Sequence, residues 1–177
     1  FKEIFLAGIS GLQKEKSLTQ SEQAEHAFFG IKNILSSNGY GMSNVIRTWI
    51  YMPEILNWYA EFNQARTRCF QELGLIGKNK KYLPASTGIQ GKRNEKEEIF
   101  IDVLALIPKT SRCVVSVMKN TCQNEAREYG SLFSRGMAVK IENSETLYIS
   151  GTASIDNNGK TVCLNNPIGQ VAQTFKS

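Results

Sequence analysis

VIRTWIYM, residues 45–52, alternates apolar and polar side chains and stops at Pro53, after which Leu56, Tyr59, Phe62, Cys69, Phe70 and Leu73 recur at helical spacing. A period of two followed by a period of 3.6 reads as a half-buried strand running into an amphipathic helix. Pro53 suits the first turn of that helix, where a missing N–H costs nothing. The same order stands upstream. Residues 3–10 read as a strand entering a glycine turn, and from Gln20 the positions Ala24, Ala27, Phe28, Ile31, Ile34 and Leu35 mark a helix that SSNGYG stops. Downstream, LPASTGIQG (83–91) is a short extended piece with a turn. IFIDVLALI (99–107) is apolar enough to need cover on both faces. The order strand, helix, strand, helix, strand, strand predicts an α+β fold, with two helices packed on one face of a mixed sheet.

Beyond this point the pattern changes. CVVSVM (113–118) adds a strand, while NTCQNEAREYGSLFSRG is too polar and turn-rich for a regular core element. MAVKI (137–141) and TLYISGTASI (146–155) then predict a hairpin around ENSE. LYISGTASIDNNGK, from Leu147, repeats the construction of IFLAGISGLQKEK, from Ile4. Aligning Gly8 with Gly151 places Gln23 and Gln170 at comparable points near two helix starts. The expected organisation is a first module over 1–109, an inter-module segment over 110–136, and the opening of a second module over 137–177. A module holding only a hairpin and one helical turn cannot bury its sheet. The sequence is therefore expected to be part of a longer two-module protein, or to be completed by another chain.

Among the 177 residues, 41% are hydrophobic and 21% charged, enough apolar material for a real core. No apolar run approaches the roughly 20 residues of a membrane span, and FKEIFLAG lacks the core of a signal peptide, so a cytoplasmic protein is expected. The net charge of +5 is scattered apart from GKNKKY (77–82) and GKRNEKEE (91–98). Such a field attracts small anions or RNA. No aromatic-interleaved basic stripe accompanies it, so nucleic acid is not the expected partner. Cys69, Cys113, Cys122 and Cys163 lie too far apart for metal pairs and His26 is the sole imidazole, so neither a metal nor a cofactor is expected. Cys69 falls on an apolar helical stripe and reads as core. Arg47, Trp49 and Tyr51 share one face of their strand and fit a subunit interface; Trp58, Arg66 and Arg68 read as helix surface and interface.

The glycine turn, Gln23 to Ala27 as Q-x-x-x-A, NVIRTWIYM, the second helix, Pro84-Ala85-Ser86-Thr87 and IFIDVLA together resemble the RidA/YjgF superfamily over residues 4–108. The resemblance implies a trimer or pseudo-trimer, with the strand of Trp49 in a central barrel and ligand sites at the clefts. It also brings three family labels: enamine or imine deaminase, L-PSP endoribonuclease, and translation initiation inhibitor. Deaminating members carry an arginine where this sequence has Ser86 and a glutamate where it has Phe100. A hydroxyl lacks the guanidinium fork and a phenyl ring cannot move a proton, so a degenerate site is expected in the first module. Asp102 is left as the only acid in its strand, outward or hydrogen-bonded.

Three further stretches resemble chorismatases, two-module relatives of RidA: RTWIYMPEILNWYAEFNQARTRCF with YLPASTGIQG; NTCQNEAREYGSLFSRGMAV, with Asn120, Gln123, Ala126 and Tyr129 in N-x-x-Q-x-x-A-x-x-Y spacing; and ISGTASI. This implies a small anionic ligand, chorismate or a similar cyclic dicarboxylate, with release of pyruvate. Arg135 would clamp a carboxylate, next to Ser134. Gly151, Thr152, Ala153 and Ser154 would line the pocket floor, and Tyr129 would donate a hydroxyl. No catalytic residue is assigned: the family's glutamate belongs late in the second module, and Cys163 and Asn166 stand where a His and an Asp are usual. The alternatives are a RidA-type deaminase or small-molecule binder, and an RNA-associated translation inhibitor.

Overall fold

A computed structural model of the chain describes residues 1–13, 16–76, 82–120 and 123–176. The basic run at 77–81 and Cys122 lie outside the described residues. β1 (Lys2–Ser10), α1 (Gln20–Ser37), β2 (Val45–Met52), α2 (Ile55–Glu72), β3 (Ala85–Gln90) and β4 (Phe100–Ile107) follow the expected order. They build a mixed sheet of order β1-β4-β2-β3, in which β2 and β3 alone run parallel. A parallel pair needs a long crossover, and α2 provides it.

Both helices cover one face of this sheet. Thr19 and Glu22 form a capping box that starts α1. Phe28 of α1 stacks on Phe62 of α2 at 6.3 Å and meets Phe70 edge-on at 5.4 Å. Beneath them lie Ile50, Met52, Ile101 and Val103, all buried. Each such side chain contributes roughly 1.5–3 kcal/mol on leaving water. Cys69 is buried in the same core, and burial pushes its thiol up to about 12.

Two side chains of α2 depart from the regular helical reading. Leu56 is 90% exposed and Trp58 only 3%. Glu54 enters the helix from a left-handed conformation (φ 45°), and Trp58 itself is non-helical (φ −139°). The first turn is thus out of phase with the rest. Trp58 swings into the core, donating its indole N–H to the Pro53 carbonyl at 3.1 Å, and Leu56 swings out. Pro53 precedes the helix instead of forming its first turn.

The glycine turn of β1 is a bulge between Leu6 and Ile9. Gly8 takes φ 63°, and its N–H donates to the Asp102 carboxylate at 2.6 Å. Asp102 is thus hydrogen-bonded. The Gly8 carbonyl accepts from Arg93 Nη2 at 3.2 Å, and the Arg93 guanidinium grips Glu97 with Nε at 2.8 Å and Nη2 at 2.5 Å.

The opposite face carries a second sheet, β5 (Cys113–Met118), β6 (Gly136–Ile141) and β7 (Ser144–Ile149), antiparallel in that order. Ile46, Leu104 and Leu106 pack against Cys113 and Val139, so β4 is covered on both sides. The hairpin turns at Glu142 (φ 52°) and Asn143; Ser144 and Glu145 already belong to β7. β7 stops at Ile149 and does not continue to Ile155, because Ser150 and Gly151 leave for the edge of β3. Ser86 N–H donates to Ser150 Oγ at 2.8 Å, and Gly151 N–H donates to the Ser86 carbonyl at 3.1 Å and to Thr87 Oγ1 at 2.8 Å. Residues 150–161 are irregular. α3 (Pro167–Lys176) follows, with Asn166 Oδ1 accepting from Gly169 N–H at 2.9 Å, and it leaves Ile168, Val171 and Phe175 exposed. No helix of the described residues is long and apolar enough to cross a membrane.

Candidate functional site

A cavity of about 920 Å³ opens between α2, β3 and the chain segments around residues 129–135 and 151–161. Its floor is Gly151, Thr152 and Ala153. A Cβ on Gly151 would lie 2.6 Å from Thr87 Cγ2, so the approach of this strand end to β3 requires glycine. The Thr152 hydroxyl donates to Gln123 Oε1 at 3.1 Å, tying the floor to the polar segment that precedes β6. One wall is Tyr129. A turn at 156–160, in which Asp156 Oδ1 accepts from the N–H groups of Asn158 and Lys160, sets Gly159 (φ 77°) against the Tyr129 ring, 3.1 Å from where a Cβ would sit.

Two buried arginines supply the charge. Arg135 is 7% exposed; its Nε and Nη2 donate to the Asn124 carbonyl at 3.1 and 2.9 Å. Its guanidinium lies 5.3 Å from the Tyr129 ring centre and 5.7 Å from that of Phe133. Arg66, from α2, is 2% exposed. Its Nη2 donates to Asn63 Oδ1 at 2.5 Å, while its Nε is buried without a partner. This guanidinium lies 5.1 Å from the Phe62 ring centre and 5.6 Å from the same Phe133 ring. Burial pulls the Arg66 pKa down, and neighbouring Tyr59 works against that pull. Burial raises the Tyr129 phenol, with the Arg135 charge opposing. The site therefore presents buried guanidinium groups and, near neutrality, the protonated Tyr129 phenol. No aspartate or glutamate is among its described lining residues, and no described group of three or more His, Cys, Asp and Glu side chains could hold a metal.

Of the residues singled out from the sequence, Tyr129, Arg135, Gly151, Thr152 and Ala153 line this cavity. Ser134 and Ser154 do not. The Ser134 hydroxyl donates to the Leu83 carbonyl at 2.6 Å and that of Ser154 to the Val162 carbonyl at 2.9 Å, so both are spent on the backbone behind the floor. Arg66 corrects the surface reading of α2, whereas Arg68 is exposed and paired with Glu25 at 2.7 Å. Its position was marked in the sequence. It stands four residues after Phe62 and three before Cys69, on the apolar stripe. The wall at 155–161 carried no comparable signal. Ser86 also lines the cavity, its hydroxyl accepting from Thr48 Oγ1 at 2.9 Å. Phe100 stacks on Tyr51 at 4.5 Å, on the opposite face of the sheet, so the two positions do not share a site.

A family model, endoribonuclease L-PSP, matches residues 2–107. The chain belongs to this family. Two E. coli structures share its fold. TdcF with bound serine is 17% identical, with the match covering 60% of this chain and 81% of that one at a TM-score of 0.52. The YjgF gene product is 18% identical, covering 59% and 80% at a TM-score of 0.51. The RidA/YjgF resemblance read from the sequence is borne out at the level of the superfamily. No curated protein matches the chain.

Proposed function

We propose that this cavity binds a small cyclic dicarboxylate, with chorismate as the ligand and release of pyruvate as the reaction. The observation that supports this reading is a ligand-sized hollow lined by buried guanidinium groups, phenols and small residues, and by no described carboxylate. An anion entering it gains charge-assisted hydrogen bonds from guanidinium groups that are themselves buried, and the small residues at 151–153 let a flat ring approach the backbone.

The chemistry divides into binding and cleavage. Binding is within the means of the residues present: guanidinium to carboxylate, phenol to hydroxyl. Cleaving an enol ether needs an acid that protonates it. A phenol whose pKa is raised is a poor one, and the described lining offers no carboxylic acid. The proton donor for pyruvate release would then come from a group outside these residues. A deaminase reading is less well supported, because Ser86 offers no fork for a carboxylate and Phe100 faces away.

The test is calorimetric titration of the protein with chorismate, followed by a pyruvate assay. Arg135→Ala should weaken binding by about one to two decades, equivalent to about 1.5–3 kcal/mol, and Arg135→Lys should recover only part. Arg112→Ala, on an exposed pair with Glu142, should change nothing. Absence of binding at millimolar chorismate sinks the assignment. Binding without pyruvate makes the protein a receptor for the same class of molecule.

A further inference from the structure

We infer that Arg66 is the specificity-determining cation of the cavity: it and Arg135 take one carboxylate each, so the site selects dianions over monoanions. The inference rests on the reading that the cavity binds an anion. Three observations carry it. Arg66 is 2% exposed and its described side-chain hydrogen bonds go to the Asn63 amide and the Tyr59 hydroxyl, so a buried positive charge stands without a carboxylate partner. Its Nε has no partner. An orphaned buried donor on a lining residue is a cost that folding alone does not explain. Finally, Arg66 and Arg135 lie 5.6 and 5.7 Å from one ring centre, Phe133. That common neighbour keeps both cations within the span of one six-membered ring with two acidic substituents.

The surroundings leave few other ways to balance the charge. Phe62 and Phe133 offer the cation their ring faces, which attract it weakly compared with a carboxylate. Burial raises the Tyr129 phenol, so that neighbour brings no negative charge near neutrality. A ligand carboxylate reaching Nε would satisfy the orphaned donor and the charge together. A monoanion satisfies one arginine and leaves the other bare.

Isophthalate and benzoate, which share a ring and differ by one carboxylate, are the probes, titrated alongside chorismate into the parent protein, Arg66→Met and Arg66→Lys. The parent should bind isophthalate at least about tenfold more tightly than benzoate. Arg66→Met should bring that ratio to within about threefold, and Arg66→Lys should fall between. Ligand-free Arg66→Met should melt no lower than the parent, since an apolar isostere relieves an uncompensated buried charge. A variant that melts lower, or one that keeps the parent's isophthalate preference, overturns the inference and gives Arg66 a structural role. Isophthalate discrimination without chorismate binding retains the inference and rejects only chorismate as ligand. Failure of both dicarboxylates to bind the parent at millimolar concentration rejects the cavity reading and the inference together.

Discussion

Glu97 holds its charge in a place that excludes water: its side chain is 1% exposed. Burial raises its pKa, but the Arg93 fork and the Ser10 hydroxyl overcome this and hold it below the ordinary 4.5. A carboxylate depressed in the folded state adds stability that is fully present above its unfolded pKa and is lost as pH falls through the lower, folded one. Glu97→Gln should therefore destabilise the protein by about 1–3 kcal/mol near pH 7. The gap to the parent should close under acid conditions, below the ordinary carboxylate range. Urea melts across pH measure both, and a gap that stays constant down to pH 3 would contradict the assignment. At this scale the sequence was legible wherever residue type and position agreed, as at Cys69 and Asp102. It misled at Arg66, where charge argued for solvent and spacing argued for the core. Spacing prevailed because the cavity beside α2 provides a setting that the sequence does not display.

Among the elements, α2 bears most on the site, because it supplies the core with one side and the cavity with another. Phe62 touches the rings of Phe28, Trp58 and Tyr59, and Arg66 rests on it from the cavity side. Phe62→Ala should cost about 3–5 kcal/mol in a denaturant melt and should also weaken ligand binding. Phe62→Leu, which keeps much of the volume, should cost less on both counts. Unchanged affinity in Phe62→Ala would uncouple the core from the pocket. Strand and helix positions were readable because each has its own period. The phase slip at Trp58 was not, since it depends on a left-handed Glu54 that nothing in the local pattern demands. Nor was the early end of β7. Ser150 looks like one more residue in an alternating run, yet its hydroxyl donates to the Ser134 carbonyl at 2.5 Å and accepts from Ser86, turning the chain out of its own sheet.

For the molecule as a whole, the first sheet and its helices were legible because their order of elements admits few arrangements. The seating of β5–β7 on the other face was not, since an apolar strand that needs cover does not say which segment will cover it. The cavity inherits this: half its lining comes from α2 and β3 and nearly all the rest from Tyr129 onward. The same seam has a practical side for anyone shortening the protein. Ser134, Ser150 and Gly151 hydrogen-bond along β3 at Pro84 and Ser86, and β5–β7 roof Ile46, Leu104 and Leu106. Cutting the chain near residue 109 would strip both, leaving a raw strand edge beside a greasy patch, the combination that drives chains to precipitate on one another. In a series of C-terminal truncations, soluble yield should drop abruptly once the cut passes back through Gly151 and Ser150, well before any residue of the first sheet is lost.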